Sequence, residues 1–238
     1  MYEYTSRVRY SEIDPDLHMT PSAVIARLED GAVFHSEVSR MPMLAQADMK
    51  EAWMVISWQV VFSRWPRFNQ KITTRTWTCH FHGFEGCRDY TMTDEEGDVL
   101  VTATSRWCYM DLVGQHPMRV PQSVADNFGL EDPLDMERAP RRIALPKDVE
   151  PEAGEGVRMT VSSLDNNGHV NNLEYVRIAL GYFGQPIERL REMRVEYRTQ
   201  AHLGDLLTPL VYKKENSVYV SLVNEEQTSC AIVRFMIN

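Results

Sequence analysis

The 238-residue chain is short of cysteine, of cationic charge and of long apolar runs. Its four cysteines, Cys79, Cys87, Cys108 and Cys230, form no C-x-x-C pair. They are too few and too scattered for a disulfide framework or a structural zinc site, and read as reduced packing residues of a cytosolic protein. Lys and Arg number 25 against 34 Asp and Glu, a formal net charge of −9. That balance argues against a sequence-blind nucleic-acid binder. An acidic enzyme that meets an acidic partner needs a local basic patch instead. No stretch approaches the roughly 18 uninterrupted apolar residues of a membrane span, so no membrane insertion is expected. The first residues, MYEYTSRVRYSEID, lack a basic region with an apolar run behind it, so no signal peptide is expected either. Ser105, Ser162 and Ser163 stand outside any G-x-S-x-G setting, which sets aside a serine-hydrolase elbow.

What is present is core-forming material: 43% hydrophobic and 10% aromatic residues. The chain is therefore globular, with room for one large domain or two of about 120 residues. Residues 2–13 read as a strand entering a turn at Asp14-Pro15-Asp16. A helix follows from Pro21 to Ser39, with Thr20 as N-cap and Pro21 at the first helical position. Val24, Ile25, Leu28, Ala32 and Val33 fall at helical spacing, and Gly31 and Ala32 allow close approach to a sheet. Met54 to Phe62, Lys71 to His82 and Val99 to Met110 read as strands. The second of these places Ile72, Thr74, Thr76 and Thr78 on one face, and Asp94 to Asp98 forms a hairpin turn. A helix followed by long strands is the order of an α+β fold with an antiparallel sheet.

Residues 117–155 carry six prolines and many charges, the composition of a surface linker. After it the first pattern returns: a strand over Val157 to Leu164, a turn over Asp165 to Gly168, and a helix face of Leu173, Val176, Leu180 and Phe183. Strands then follow at Met193 to Arg198, Leu206 to Tyr212, Val218 to Val223 and Ala231 to Ile237. The segments SEIDPDLH and SSLDNNGH lead into the two helices, and Asp14 and Asp165, like His18 and His169, are 151 residues apart. Both read S-x-[IL]-D-x-x-x-H before a helix and then strands. Duplication of one α+β module accounts for this most simply.

Residues 165–172, DNNGHVNN, hold the chemistry. So many Asn and Asp residues disfavour helix and favour an ordered turn. Main-chain N–H groups at the helix start beyond it can polarise a carbonyl. An imidazole such as that of His169 can orient or deprotonate water. Asp165 can hold the imidazole or act as base, and Asn167 can position a carbonyl or water. The composition also suits a plain helix-capping turn.

Here the chain resembles the acyl-ACP thioesterases of plants and bacteria. DNNGHVNNLEYV at 165–176 is similar to that family's D-x-N-x-H-V-N-N-x-x-Y stretch. WMVISWQVVFSRWP at 53–66 resembles its strand ending in an aromatic–Pro pair. Gly83 to Tyr90, residues 97–110 and RVEYRTQA at 194–201 resemble further blocks in the same order. The resemblance implies two tandem hot-dog modules, each a long helix packed against an antiparallel sheet. The first would span 1–125 and hold the acyl pocket, 126–154 would link them, and 155–238 would carry the catalytic turn. It implies hydrolysis of fatty acyl-ACP by water, with Asp165, Asn167 and His169 at the catalytic positions and no cofactor. Plant members commonly have Glu-Cys where this chain has Gln200-Ala201. Gln200 can hydrogen-bond water but cannot accept its proton, and Ala201 excludes a cysteine nucleophile.

Other groups are weighed more lightly. Asp14 and His18 read as a structural remnant of the motif. His80 and His82 share one face of a regular strand while Cys79 points to the other, so no metal is expected. Arg64, Arg67, Lys71 and Arg75 form a candidate docking patch for acidic acyl carrier protein, with Arg138, Arg141 and Arg142 as a second. Charged residues of the first helix, Glu29, Asp30 and His35, read as solvated. An acyl-CoA thioesterase of the same fold and a non-catalytic acyl-binding protein are the competing readings. Both a monomer and a homodimer are compatible with the sequence, and a cytoplasmic location is expected.

Overall fold

The structure is a computed structural model that describes residues 1–39 and 50–237. It divides into two compact units, residues 1–56 with 60–138 and residues 57–59 with 139–238. The segment expected as linker is thus shared between them at Arg138 and Ala139. Among the described residues, no helix is long and apolar enough to cross a membrane.

In the first unit, β1 (Tyr2–Arg7) is shorter than the expected strand. The chain instead closes a 3-10 turn at Tyr10–Glu12, because the Glu12 carboxylate accepts the Arg9 N–H at 2.6 Å. Helix α1 (Pro21–Val38) starts where its cap requires: Thr20 Oγ1 accepts from the Ala23 N–H at 3.3 Å. The strands β2 (Glu51–Phe62), β3 (Lys71–His82), β4 (Glu85–Thr93) and β5 (Val99–Asp111) form a sheet in the order β1-β3-β4-β5-β2, and β6 (His116–Pro117) pairs with β5. The β1–β3, β3–β4 and β4–β5 pairs are antiparallel. Helix α2 (Gln122–Phe128) forms inside the proline-rich segment and buries Val124 and Phe128. Sequence periodicity gave no sign of it, since seven residues are too few to show one.

Helix α1 packs on β3 and β1 through Val24, Ile25, Leu28 and Ala32, all fully buried. Ile72, Thr74, Thr76 and Thr78 form the buried face of β3, as their alternation predicts. A Cβ at Gly31 would lie 3.4 Å from the Thr76 methyl and 3.5 Å from the Tyr4 ring, so the helix approaches the sheet closely there.

Polar groups are fixed inside this unit. Arg27 on α1 is buried and pairs with Glu12 through Nη2 at 2.5 Å and Nε at 3.1 Å. His35 is buried rather than solvated, and its Nδ1 accepts from Arg88 Nη1 at 2.8 Å. An arginine is donor only, so this ring nitrogen carries no proton. Glu29 is not simply solvated either, since its Oε1 is buried.

In the second unit, β7 (Glu152–Ala153) and β8 (Val157–Arg158) are short. The strand expected over Val157 to Leu164 stops early because Thr160 and Ser163 cap a 3-10 turn at Val161–Ser163. Helix α3 (Asn172–Leu180) buries Tyr175, Val176 and Ala179 and packs on β11 (Ser217–Val223) and β12 (Ser229–Ile237). With β9 (Leu190–Tyr197) and β10 (Leu206–Lys214), the strand order is β9-β12-β11-β10-β7, and β8 pairs with β10. Each unit is therefore a helix against an antiparallel sheet, the α+β arrangement expected.

Burial first, and the Arg88 charge second, push the His35 pKa down to about 3. The unfolded chain then takes up this proton first, near an ordinary value of about 6.5. The contribution is complete above about pH 6.5 and is lost as pH falls toward the folded value. Stability should decline across that window with a slope of at most about 1.4 kcal/mol per pH unit from this group. Urea denaturation at several pH values should show this component vanish in His35→Asn, which keeps an acceptor for Arg88 without titrating.

Candidate active site

The Asp165–His169 segment is a turn closed by its own first side chain. Asp165 Oδ1 accepts the Asn167 N–H at 2.8 Å and the His169 N–H at 3.1 Å. The main chain adds Asp165 N–H to His169 O at 2.8 Å and Gly168 N–H to Asp165 O at 3.2 Å. Gly168 sits at φ +77°, where glycine carries no steric penalty. The chain leaves the turn into α3, whose N-cap Asn171 accepts the Leu173 N–H at 2.9 Å.

The first unit contains the same turn. Asp14 Oδ1 accepts the Asp16 and His18 N–H groups at 3.0 and 2.9 Å. Asp14 N–H reaches His18 O at 2.9 Å, and Leu17 occupies the left-handed position at φ +67°. The flanking bridges correspond too, Ile13 with Met19 and Leu164 with Val170. So do the 3-10 turns before them and the caps after them, all in the 151-residue register of the sequence repeat. The duplication is thus visible in hydrogen bonds as well as in letters.

The two copies differ in what they expose. His18 is buried, whereas His169 is half-buried and Asn167 is exposed. A loop after β9 backs the second copy. Ala201 O accepts the Val170 N–H at 3.1 Å, and the Ala201 N–H donates to Tyr175 Oη at 3.0 Å. Burial, ahead of other effects, pushes the Tyr175 phenol up to about 12, so it stays protonated. Gln200, one residue earlier, is exposed. The loop also delivers His202, whose ring meets that of His169 edge-on at 5.7 Å between centroids. His202 was not singled out from sequence. Its place emerges from hydrogen bonds rather than from the 151-residue register: Pro66 O accepts the Met19 N–H at 2.8 Å as Ala201 O accepts that of Val170, so His202 corresponds in the structure to Arg67.

The expectation of several free amides at the helix start needs correction. Among the amides of residues 167–174, only Asn172 N–H is uncommitted within the described residues. The others close the turn, dock it to the loop, reach Ser163 O or cap the helix on Asn171. Donors available to a carbonyl oxygen are therefore the Asn172 N–H and the Asn167 and Gln200 side-chain amides, reinforced by the α3 dipole.

The basic residues are largely committed. Arg64 pairs with Asp94 at 3.2 Å and Asp98 at 2.7 Å, Lys71 with Glu95 at 3.4 Å, and Arg75 with Glu3. Arg67 is exposed. Arg138 is committed to a structural ion pair. Its Nη1 and Nη2 donate to the fully buried Asp89 carboxylate at 3.1 and 2.6 Å, which fastens residues 131–138 over β4.

The reading of Cys79 and His80 on opposite faces is also overturned. Thr78 pairs with Arg88 but His80 pairs with Cys87, so Cys79 is an extra residue in a β-bulge. The bulge brings Cys79, His80 and Cys87 together, with ligand atoms within 4.8 Å of one another.

Residues 1–128 match the acyl-ACP thioesterase N-terminal domain and residues 147–233 the acyl-ACP thioesterase C-terminal domain. The chain belongs to the acyl-ACP thioesterase family. Among curated relatives, it is 25% identical over 238 residues to the chloroplastic palmitoyl-acyl carrier protein thioesterase of Gossypium hirsutum, covering 91% of this chain and 57% of that protein. It is 25% identical over 182 residues to the chloroplastic oleoyl-acyl carrier protein thioesterase 2 of Arabidopsis thaliana, covering 71% and 49%. The chain thus spans about half the length of the curated relatives it matches. Among solved structures, an acyl-ACP thioesterase from Bacteroides thetaiotaomicron superposes with a TM-score of 0.88 at 19% identity, over 99% of this chain and 97% of that one. The 12:0-ACP thioesterase from Umbellularia californica gives 0.84 at 19% identity, over 100% and 96%. The family fold, the hot-dog type, is the fold of this chain.

The turn makes a local stability test. Asp165→Ala removes an acceptor of two main-chain bonds and should cost about 1–2 kcal/mol, whereas Asp165→Asn keeps an oxygen there and should cost under about 1 kcal/mol. Urea unfolding of the two variants checks the order.

Proposed function

We propose that the chain hydrolyses the thioester of fatty acyl-[acyl carrier protein], releasing free fatty acid and carrier protein. Membership of the family supports this reading, and the observation that carries it is the exposed Asp165–His169 turn backed by the Gln200–His202 loop. Thioesters are activated acyl groups, so positioned water suffices as nucleophile. His169 takes the proton of the attacking water and passes it to the leaving thiolate. Asp165 sets the turn geometry through Oδ1, and we assign its carboxylate charge to stabilising the transition state of water attack. Among the described residues, Oδ2 accepts no hydrogen bond. Asn167 and the Asn172 N–H receive the developing oxyanion. Gln200 orients water as donor and acceptor without taking its proton. Ala201 leaves no cysteine for an acyl-enzyme, so attack is direct.

The acyl chain enters the first unit, where Trp53, Phe81, Trp107 and Phe128 line a small apolar recess that must widen to admit it. Arg64, Arg67, Lys71 and Arg75 serve carrier docking; three of them already face carboxylates, so their contribution is screened and salt-sensitive. The location follows the carrier protein, and we place this chain in the cytoplasm, while the curated plant relatives are chloroplastic.

Release of fatty acid from acyl-ACPs and acyl-CoAs of short to long chain tests the reading. Wild type should turn over acyl-ACP, and His169→Ala should fall by roughly 100-fold or more. Turnover confined to acyl-CoA would favour the second enzyme reading. Binding of acyl-ACP with no turnover of either would indicate an acyl-binding protein.

A further inference from the structure

We propose that Cys79, His80 and Cys87 form a binding site for a soft divalent cation of the zinc class. The site lies in the first unit, and its Cys87 also lines the recess assigned to the acyl chain. A regular β3 would turn Cys79 away from His80. The bulge at Cys79 removes that alternation, and antiparallel pairing of His80 with Cys87 sets the second sulfur on the same face. The two Sγ atoms and an imidazole nitrogen then lie within 4.8 Å of one another. Zinc–sulfur bonds of about 2.3 Å and zinc–nitrogen bonds of about 2.0 Å place tetrahedral ligands about 3.5–3.8 Å apart, so small side-chain rotations suffice.

The donor set selects the cation. Two thiolates and one imidazole suit zinc or a similar borderline-soft ion and reject calcium and magnesium. Both sulfurs are buried, while His80 is exposed and offers the route of entry. Three protein ligands leave a fourth position for water.

The surroundings are those of a supported site. Cys87 Sγ accepts from Arg138 Nη1 at 3.5 Å and lies 3.4 Å from Thr104 Oγ1. Hydrogen bonds of this kind stabilise metal-bound thiolate. The Arg138 charge does not repel the cation unopposed, because Asp89 pairs with it at 2.6 Å. The segment carrying Arg138 is itself tied to the same strands, through Glu131 N–H to Thr78 O at 3.0 Å and Trp77 Nε1 to Asp132 O at 3.0 Å. A bound cation would therefore clamp the β3 bulge to β4 beneath that segment. Binding exchanges the two thiol protons for the cation, and both protons leave to solvent.

Cobalt(II), a spectroscopic stand-in for zinc, tests the site in the full chain kept reduced with a phosphine. One equivalent should produce thiolate-to-cobalt charge transfer and intense visible bands of tetrahedral geometry, which one equivalent of zinc abolishes. His80→Ala, at an exposed position that leaves the fold intact, should weaken binding at least as much as the roughly 10–100-fold typical of outer-partner losses. Cys87→Ser should remove the charge-transfer band, and Cys230→Ser should leave it unchanged. A featureless titration would overturn the proposal. So would a spectrum that survives His80→Ala and Cys87→Ser combined.

Discussion

Asp165 Oδ1 accepts the main-chain N–H groups of both Asn167 and His169, and that pair of bonds fixes where the rest of the site can stand. It forces Gly168 into the left-handed region, holds Asn167 outward and aims the chain into α3. Val170 then reaches Ala201 O, which recruits the loop that carries Gln200 and His202. A single carboxylate thus organises two imidazoles, the exposed Asn167 and Gln200 amides and one open main-chain donor, Asn172 N–H. Its structural duty also limits its chemistry: the oxygen that closes the turn is committed to two main-chain donors.

The same turn around Asp14 presents a different surface. There His18 is buried, the asparagines are missing and a leucine takes the left-handed position. Thr20 caps α1, and Arg27 locks that helix to Glu12. One scaffold therefore serves a folding role in the first unit, while in the second unit it presents polar groups to solvent.

Much of this was legible in the letters. The helix over Pro21–Val38 follows from its cap, its N1 proline and its apolar spacing, and Lys71–His82 from strict alternation. The repeat was legible because Asp and His recur in one register. The candidate turn was legible in part: Asp165, Asn167 and His169 through the motif, but not the adjacent His202, which a loop brings in from beyond β9. The bulge at Cys79 was not legible either, since one extra residue inverts the faces of the remaining strand without leaving a mark in the pattern. Nor was the commitment of Arg138 to Asp89, because surface composition does not distinguish a free cation from a buried partner's counterion. The 3-10 turns at Tyr10–Glu12 and Val161–Ser163 escaped for a related reason: one side chain returning to the backbone outweighs strand propensity over a few residues.

The central claim is that the turn of the second unit is catalytic and its twin is not. Applying one substitution to both copies tests this most directly: steady-state hydrolysis of acyl-ACP by Asp165→Asn and by Asp14→Asn, each of which keeps the turn's acceptor oxygen. The account predicts a fall in kcat of roughly 100-fold for Asp165→Asn and turnover near wild type for Asp14→Asn. Equal losses in both, or a loss confined to Asp14→Asn, would contradict it.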